Sequence, residues 1–264
     1  MIWMLPWRPA SVFTACAAHA GRRAAALRSH GVVLALLLGV ALAACGPAAA
    51  PPPAQRISQP LTASTIHAQG LTYVALGASD AFGVGTDDPD RENWPTVLAG
   101  QLSGPIHEIN LSLPGATVSQ AIATQLPPAL DVHPQLVTIW LALNDFTSQV
   151  DLARYEQQFT ALLQALRNGT TAQVFVANLP DLTLLPYFRG RDLVALTQQV
   201  QLWNKVIAAA CAAQGAHLVD LGADHDEFAS HPEYVSDDGL HPSTLGAARL
   251  ASLFATAIHQ AGIL

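Results

Sequence analysis

Five short, nearly continuous apolar runs recur through the chain, at residues 72–77, 106–111, 136–142, 173–178 and 217–221. A run of five to seven residues with no polar face reads as a strand covered on both sides, the habit of parallel sheets. Between the runs lie stretches with helical period. Residues 151–167 place Leu152, Tyr155, Phe159, Leu162, Leu163 and Leu166 on one face and stop at Asn168 and Gly169. Residues 192–213 do the same with Leu193, Leu196, Val200, Trp203, Ile207 and Cys211. Ser243 is placed to cap a last helix carrying Leu250, Leu253, Phe254, Ala257 and Ile258. Residues 93–101 and 117–124 carry weaker helical patterns. Strand and helix in alternation, joined by short links, predict a parallel sheet with helices on both faces. Ligands of such sheets gather at the carboxyl ends of the strands.

The N-terminus has a different grammar. Arg8, Arg22, Arg23 and Arg28 all precede the first acidic residue, Asp80, and "GVVLALLLGVALAAC" follows them at residues 31–45. A basic segment, an apolar run of about a dozen residues and small residues before a break are the parts of a secretory signal. The run is short for a membrane span, which takes about 20 residues. The break, "LAAC" at residues 42–45, resembles a bacterial lipobox, which implies cleavage after residue 44 and a lipid on Cys45. Residues 46–60, "GPAAAPPPAQRISQP", are rich in Pro and Ala with no hydrophobic period. They read as an extended tether. The expected organisation is a signal peptide at 1–44, a lipidated cysteine and tether at 45–70, and one globular domain at 71–264. The expected location is exported and anchored by lipid on the extracytoplasmic face.

Composition narrows the partners. The chain has 264 residues, 51% of them hydrophobic and 12% charged, enough for one full core. Four of its 12 basic residues and none of its 19 acidic ones precede Cys45, so the chain from there on carries a formal charge of −11. Such a surface repels phosphate backbones, so no nucleic-acid partner is expected. Of the three cysteines, Cys16 leaves with the signal and Cys45 takes the lipid. Cys211 remains as a buried structural thiol on a helix face.

Candidate chemistry collects at the strand ends. "YVALGASDAFGVG", residues 73–85, ends the first run on Gly77, Ala78 and Ser79. Alone, this is a turn or a presented nucleophile. "NLSLPGATVSQ", residues 110–120, puts Gly115 in the loop after the second run, where a bare backbone N–H can face a substrate. "TIWLALNDF", residues 138–146, ends the third on Asn144, whose amide can donate to a developing oxyanion. Near the C-terminus, "VSDDGLHPSTLGAARLA", residues 235–251, spaces Asp238 and His241 three apart. The carboxylate can then fix the imidazole at Nδ1, leaving Nε2 for a serine proton. Pro242 keeps His241 out of the α region. Alone, the pair also reads as a solvated acid and a surface histidine.

Taken together, these residues resemble the SGNH (GDSL-type) esterase and lipase superfamily, over residues 71–264. The resemblance implies a flavodoxin-like three-layer α/β/α sandwich with a five-stranded parallel sheet. It implies Ser79 as nucleophile, His241 as general base and Asp238 as its orienting acid. Ser79, Gly115 and Asn144 would form the oxyanion hole. "NLPDLTLLPYF", residues 178–188, is similar to the loop after the fourth strand in some bacterial members. Two positions depart from the pattern: Ala78 stands where an Asp commonly precedes the serine, and Ala142 where a Gly commonly stands two before the Asn. The absence of G-x-S-x-G argues against the α/β-hydrolase fold.

The expected reaction is cleavage of a small acyl or acetyl ester through an acyl-enzyme on Ser79, by a monomer without cofactor. An acyltransferase using the same triad and a non-catalytic ligand-binding lipoprotein remain alternatives. His225, His231 and His241, with Asp224, Asp226, Asp237 and Asp238, make an acidic, histidine-bearing stretch, but its spacing gives no metal pair on one helix face, His241 already has a role, and no metal is expected. Asp80 and Asp145 adjoin the candidate site and read as supports for helix starts or loops.

Overall fold

In the computed structural model the described residues are 70–263. The expected signal, Cys45 and all but the last residue of the tether lie outside them. Five strands form one all-parallel sheet: β1 (Leu71–Gly77), β2 (Ile106–Asn110), β3 (Leu136–Trp140), β4 (Gln173–Ala177) and β5 (His217–Val219), in the order β2-β1-β3-β4-β5. This is the flavodoxin-like order. The register is continuous across the centre, with Val74 beside Val137 and Val137 beside Val174.

The helices are α1 (Ser79–Phe82), α2 (Pro89–Glu92), α3 (Trp94–Gln101), α4 (Val118–Thr124), α5 (Leu126–Asp131), α6 (Leu143–Thr147), α7 (Leu152–Gly169), α8 (Leu193–Gln214), α9 (His225–Ser230) and α10 (Thr244–Gln260). Alternation along each strand sorts the core into two layers. Val74, Leu76, Val137, Ile139, Val174 and Val176 face one way, toward Tyr155, Phe159 and Leu163 of α7 and Trp203 and Ile207 of α8. Tyr73, Ala75, Leu136, Phe175 and Val219 face the other, toward α3 and α10, where Trp94 stacks on Phe254 at 4.5 Å. The polar starts of the helices stop them where the sequence suggests. Asp151, Asp192 and Ser243 accept backbone N–H groups at the starts of α7, α8 and α10, and Thr117 and Gln120 form a capping box on α4.

Two expectations need correction. β2 is not covered on both faces: it is an edge strand without a fully buried residue, which is why His107 and Glu108 are tolerated in it. Leu193, expected on the apolar face of α8, is 47% exposed. A helix of 22 residues is about 33 Å long and outruns the five-residue strand beneath it, so its first turn projects past the sheet. Among the described residues no helix is long and apolar enough to cross a membrane. Cys211 is buried, and burial pushes its thiol up to about 12.

Candidate active site

β1 ends on Gly77, and Ser79 opens α1 two residues later. A side chain at Gly77 would collide with Ala81, so the first turn of α1 can fold back on the strand only over a glycine. Gly77 is held from the side as well. The fully buried Gln125 accepts from its N–H at 3.1 Å and donates to its carbonyl at 2.9 Å. Gln125 thereby supplies an acceptor for the Gly77 N–H at this end of β1, while the Gly77 carbonyl is shared with Leu113 N–H at 3.2 Å. Asn110 donates to the Ala81 carbonyl at 2.7 Å and ties down the far end of the same turn. The N–H of Ser79, at the start of a helix, has no partner within that helix.

Opposite Ser79, the loop before α10 brings back the two C-terminal candidates. His241 Nε2 lies 2.8 Å from Ser79 Oγ, and its Nδ1 lies 2.6 Å from Asp238 Oδ2. The other carboxylate oxygen accepts from the backbone N–H of Leu240 and His241 and from the Ser236 hydroxyl, at 2.8–2.9 Å. Partial burial pushes the Asp238 carboxyl up. The hydrogen bonds from the His241 side chain, the two N–H groups and Ser236 outweigh it and hold the group well below the usual carboxylate range. The carboxylate therefore stays ionised, and the hydrogen-bond network assigns the imidazole proton to Nδ1. Gly85 makes the approach of the two loops possible: a Cβ there would lie 2.5 Å from the Pro242 carbonyl oxygen and 2.9 Å from His241 Cβ.

The third part comes from the loops after β2 and β3. Residues Leu113 to Ala116 form a tight turn closed by Ala116 N–H to the Leu113 carbonyl at 3.0 Å, with Pro114 second and Gly115 third at φ +80. This is the type II pattern, in which the third N–H takes no part in closing the turn. Asn144, at the start of α6, donates one amide N–H to the Ala116 carbonyl at 3.0 Å. Its neighbour Asp145, 1% exposed, accepts from Val118 N–H at 2.9 Å. Two successive residues after β3 thus hold the chain just after Gly115. Burial lifts the Asp145 carboxyl to about 6, against the bonds from Val118 and its own N–H. Burial also lifts Asp80, beside the serine, to about 7, against the bonds from the Ala81 and Ala78 backbone and the attraction of His241.

All five candidate positions, Ser79, Gly115, Asn144, Asp238 and His241, stand at the carboxyl rim of the sheet. The structure links Ser79, His241 and Asp238 into one hydrogen-bonded chain and ties Asn144 to the residue after Gly115. The other histidines are engaged elsewhere: His225 pairs with Asp181 at 2.7 Å and His231 with Glu233 at 2.8 Å. Among the described residues no group of His, Cys, Asp and Glu could hold a metal ion. Sequence reasoning missed Gln125 and the supporting role of Asn110. The available signal was a lone amide among apolar and proline residues in "TQLPPAL", residues 124–130.

The model of the GDSL-like lipase/acylhydrolase family matches residues 75–249, from within β1 to within α10 and across all five candidate positions. The chain belongs to this family. An arylesterase of Vibrio mimicus is 26% identical over 180 residues, which are 63% of this chain and 78% of that protein. Among solved structures of similar fold, TesA has a TM-score of 0.60 at 22% identity, covering 73% of this chain and 99% of its own. Axe2, an acetylxylan esterase from Geobacillus stearothermophilus, has a TM-score of 0.59 at 18% identity, covering 72% and 94%. At these identities the two structures speak to the fold, and the family's three-layer architecture is the one described above.

Proposed function

We propose that this protein is a serine esterase that cleaves carboxylic esters through an acyl-enzyme on Ser79. The observation that carries the reading is the unbroken hydrogen-bonded chain from Asp238 through His241 to Ser79. Asp238 holds Nδ1–H, so Nε2 is the free base and accepts the serine proton as Oγ attacks the ester carbonyl carbon. The oxyanion that forms accepts from Ser79 N–H, Gly115 N–H and the Asn144 amide N–H not used by Ala116. The bond to the alcohol oxygen then breaks, and the imidazolium at Nε2 gives its proton to the departing alkoxide. A water, deprotonated by His241, attacks the acyl-enzyme; the acid leaves and Ser79 recovers its proton. The three donors are fixed in advance by backbone turns and by Asn144's bond to Ala116, so little reorganisation accompanies the charge.

Ser79→Ala should lower kcat by roughly a thousandfold or more while the melting curve persists, and a fluorophosphonate probe should label Ser79. Labelling at another serine, or an active Ala variant, would overturn the reading. We further place the protein on the extracytoplasmic face of a membrane, held by a lipid on Cys45; the support is the sequence of residues 31–45. Cys45→Ser should move it out of the membrane fraction or leave it unprocessed, and unchanged fractionation with a lipid-free Cys45 would dismiss the anchor.

A further inference from the structure

Beside His241 lies a pocket of about 170 Å³, on the β3–β5 side of the rim. Its floor is core: Trp140 at the end of β3, Leu221 after β5 and Leu250 of α10, all buried. Its walls are the two 3-10 turns Leu182–Leu184 and Pro186–Phe188 and the inner side of α9, which presents Phe228 and Ala229.

Apart from the exposed Arg189, the polar side chains that border this space have other partners. Asp181 accepts from Thr183 and pairs with His225, His231 pairs with Glu233, and the Tyr234 hydroxyl donates to Glu227. What faces inward is mostly hydrocarbon. The opposite side of the nucleophile differs: Leu113, Pro114 and Gly115 are exposed, and a Cβ on Gly115 would meet nothing within 4 Å. A leaving alcohol needs an open exit, whereas the acyl group must stay until water arrives. The closed, apolar side suits the part that stays.

Resting on the esterase reading above, we propose that this pocket is the acyl-chain site and that the enzyme selects unbranched medium-chain acyl esters over acetyl esters. A methylene takes about the volume of a water molecule, about 30 Å³, so the pocket holds a chain of about six carbons. Because α9 forms one wall and is held by ion pairs at His225 and Glu227, the length limit is set by residues outside the triad.

The test is a series of p-nitrophenyl esters from acetate to dodecanoate, beside acetate esters of butanol, hexanol and octanol. Burying a methylene is worth roughly three- to fourfold, so kcat/KM should rise at least tenfold from acetate to hexanoate and stop rising about two carbons beyond. In the Ala229→Phe variant the hexanoate-to-acetate ratio should drop about tenfold, and in Leu185→Ala the optimum should move to longer chains. Using ratios, with Ser79 labelling and the melting temperature measured alongside, separates a blocked pocket from a damaged fold. A flat acyl series, or discrimination among the alcohols in its place, would overturn the acyl assignment while leaving the esterase reading intact. Failure to cleave any ester, with Ser79 unlabelled, would instead remove the esterase reading itself.

Discussion

The two halves of the catalytic rim are built differently. On the β2-β1-β3 side, buried and half-buried polar side chains reach across to backbone atoms: Gln125 to Gly77, Asn110 to Ala81, Asn144 to Ala116 and Asp145 to Val118. On the β4–β5 side Asn204 clamps the Leu179 backbone and Asn178 accepts from Leu221 N–H in the same way. The outer wall beyond them, the 3-10 turns and the six-residue helix α9, is instead held by partly exposed ion pairs, His225 with Asp181 and Arg249 with Glu227. A buried amide bonded to backbone at both of its ends has no good alternative, because any other arrangement strands a polar group. An exposed ion pair can trade its partner for water at small cost. The serine turn and the Gly115 loop are therefore rigid by construction, whereas the outer wall of the proposed acyl pocket is freer to change.

Breaking this comparison should begin with the largest effect. His241→Ala is expected to lower kcat by about a thousandfold or more, and adding Asp238→Asn should cost little further, because the acid works only through the imidazole. Asn144→Ala should lower kcat by about a hundredfold with KM nearly unchanged, and should still subtract activity from His241→Ala. Steady-state and single-turnover kinetics on these four variants and on Asp238→Asn alone check both statements; independent, multiplying effects of Asp238 and His241 would show that they do not act as a pair. Gln125→Ala comes next. It strands the buried N–H of Gly77, whose carbonyl keeps the Leu113 N–H, for a loss of about 2 kcal/mol in denaturant unfolding, and a kcat drop of about tenfold is expected from a loosened serine turn. Unfolding by urea beside kcat separates the two effects. On the other side of the rim, Glu227→Gln removes an ion pair whose side chains are 27% and 31% exposed. It should shift stability by no more than about 1 kcal/mol, an effect that high salt should mimic.

Protonation supplies the smallest and most specific test. Asp80, raised to about 7, binds its proton more tightly in the folded chain than in the unfolded one, whose carboxyl titrates near the ordinary 3.8. The stability that this group contributes is thus complete below about pH 4 and is lost as pH rises toward 7. Asp145, raised to about 6, acts in the same direction over a narrower window. The melting temperature of the native chain should fall between pH 5 and 8, and Asp80→Asn should flatten that fall. An equally steep decline in the variant would clear Asp80 of the effect.

Much of this was legible in the residues themselves. The five strands begin within a residue of the apolar runs, because a strand covered on both faces leaves no room for a polar residue inside it. The edge strand β2 misled for the converse reason: an apolar beginning and a Leu just beyond its end conceal His107 and Glu108, which an edge allows. The loops carrying Gly115, Asn144 and His241 were recognisable through Gly, Asn and His-Pro at strand ends. Gln125 was not, since its partner is a backbone 48 positions away and nothing local marks that relation. The turns at residues 182–188 were beyond reach for a similar reason, being shaped by Gly239, whose carbonyl accepts from Tyr187 N–H.

The bond between Ser79 and His241 spans 162 positions of the chain. Its two ends lie just after the first strand and just before the last helix, and that helix also meets α3, where Trp94 stacks on Phe254. A ribosome releasing this chain yields the serine early, yet the nucleophile has no base until α10 has emerged and docked. Premature chains are therefore inert, and a parallel sheet with such distant contacts is slow to assemble. In refolding, helix content should return first and turnover last, so that ester hydrolysis reports completion of the whole domain and not the formation of any part of it.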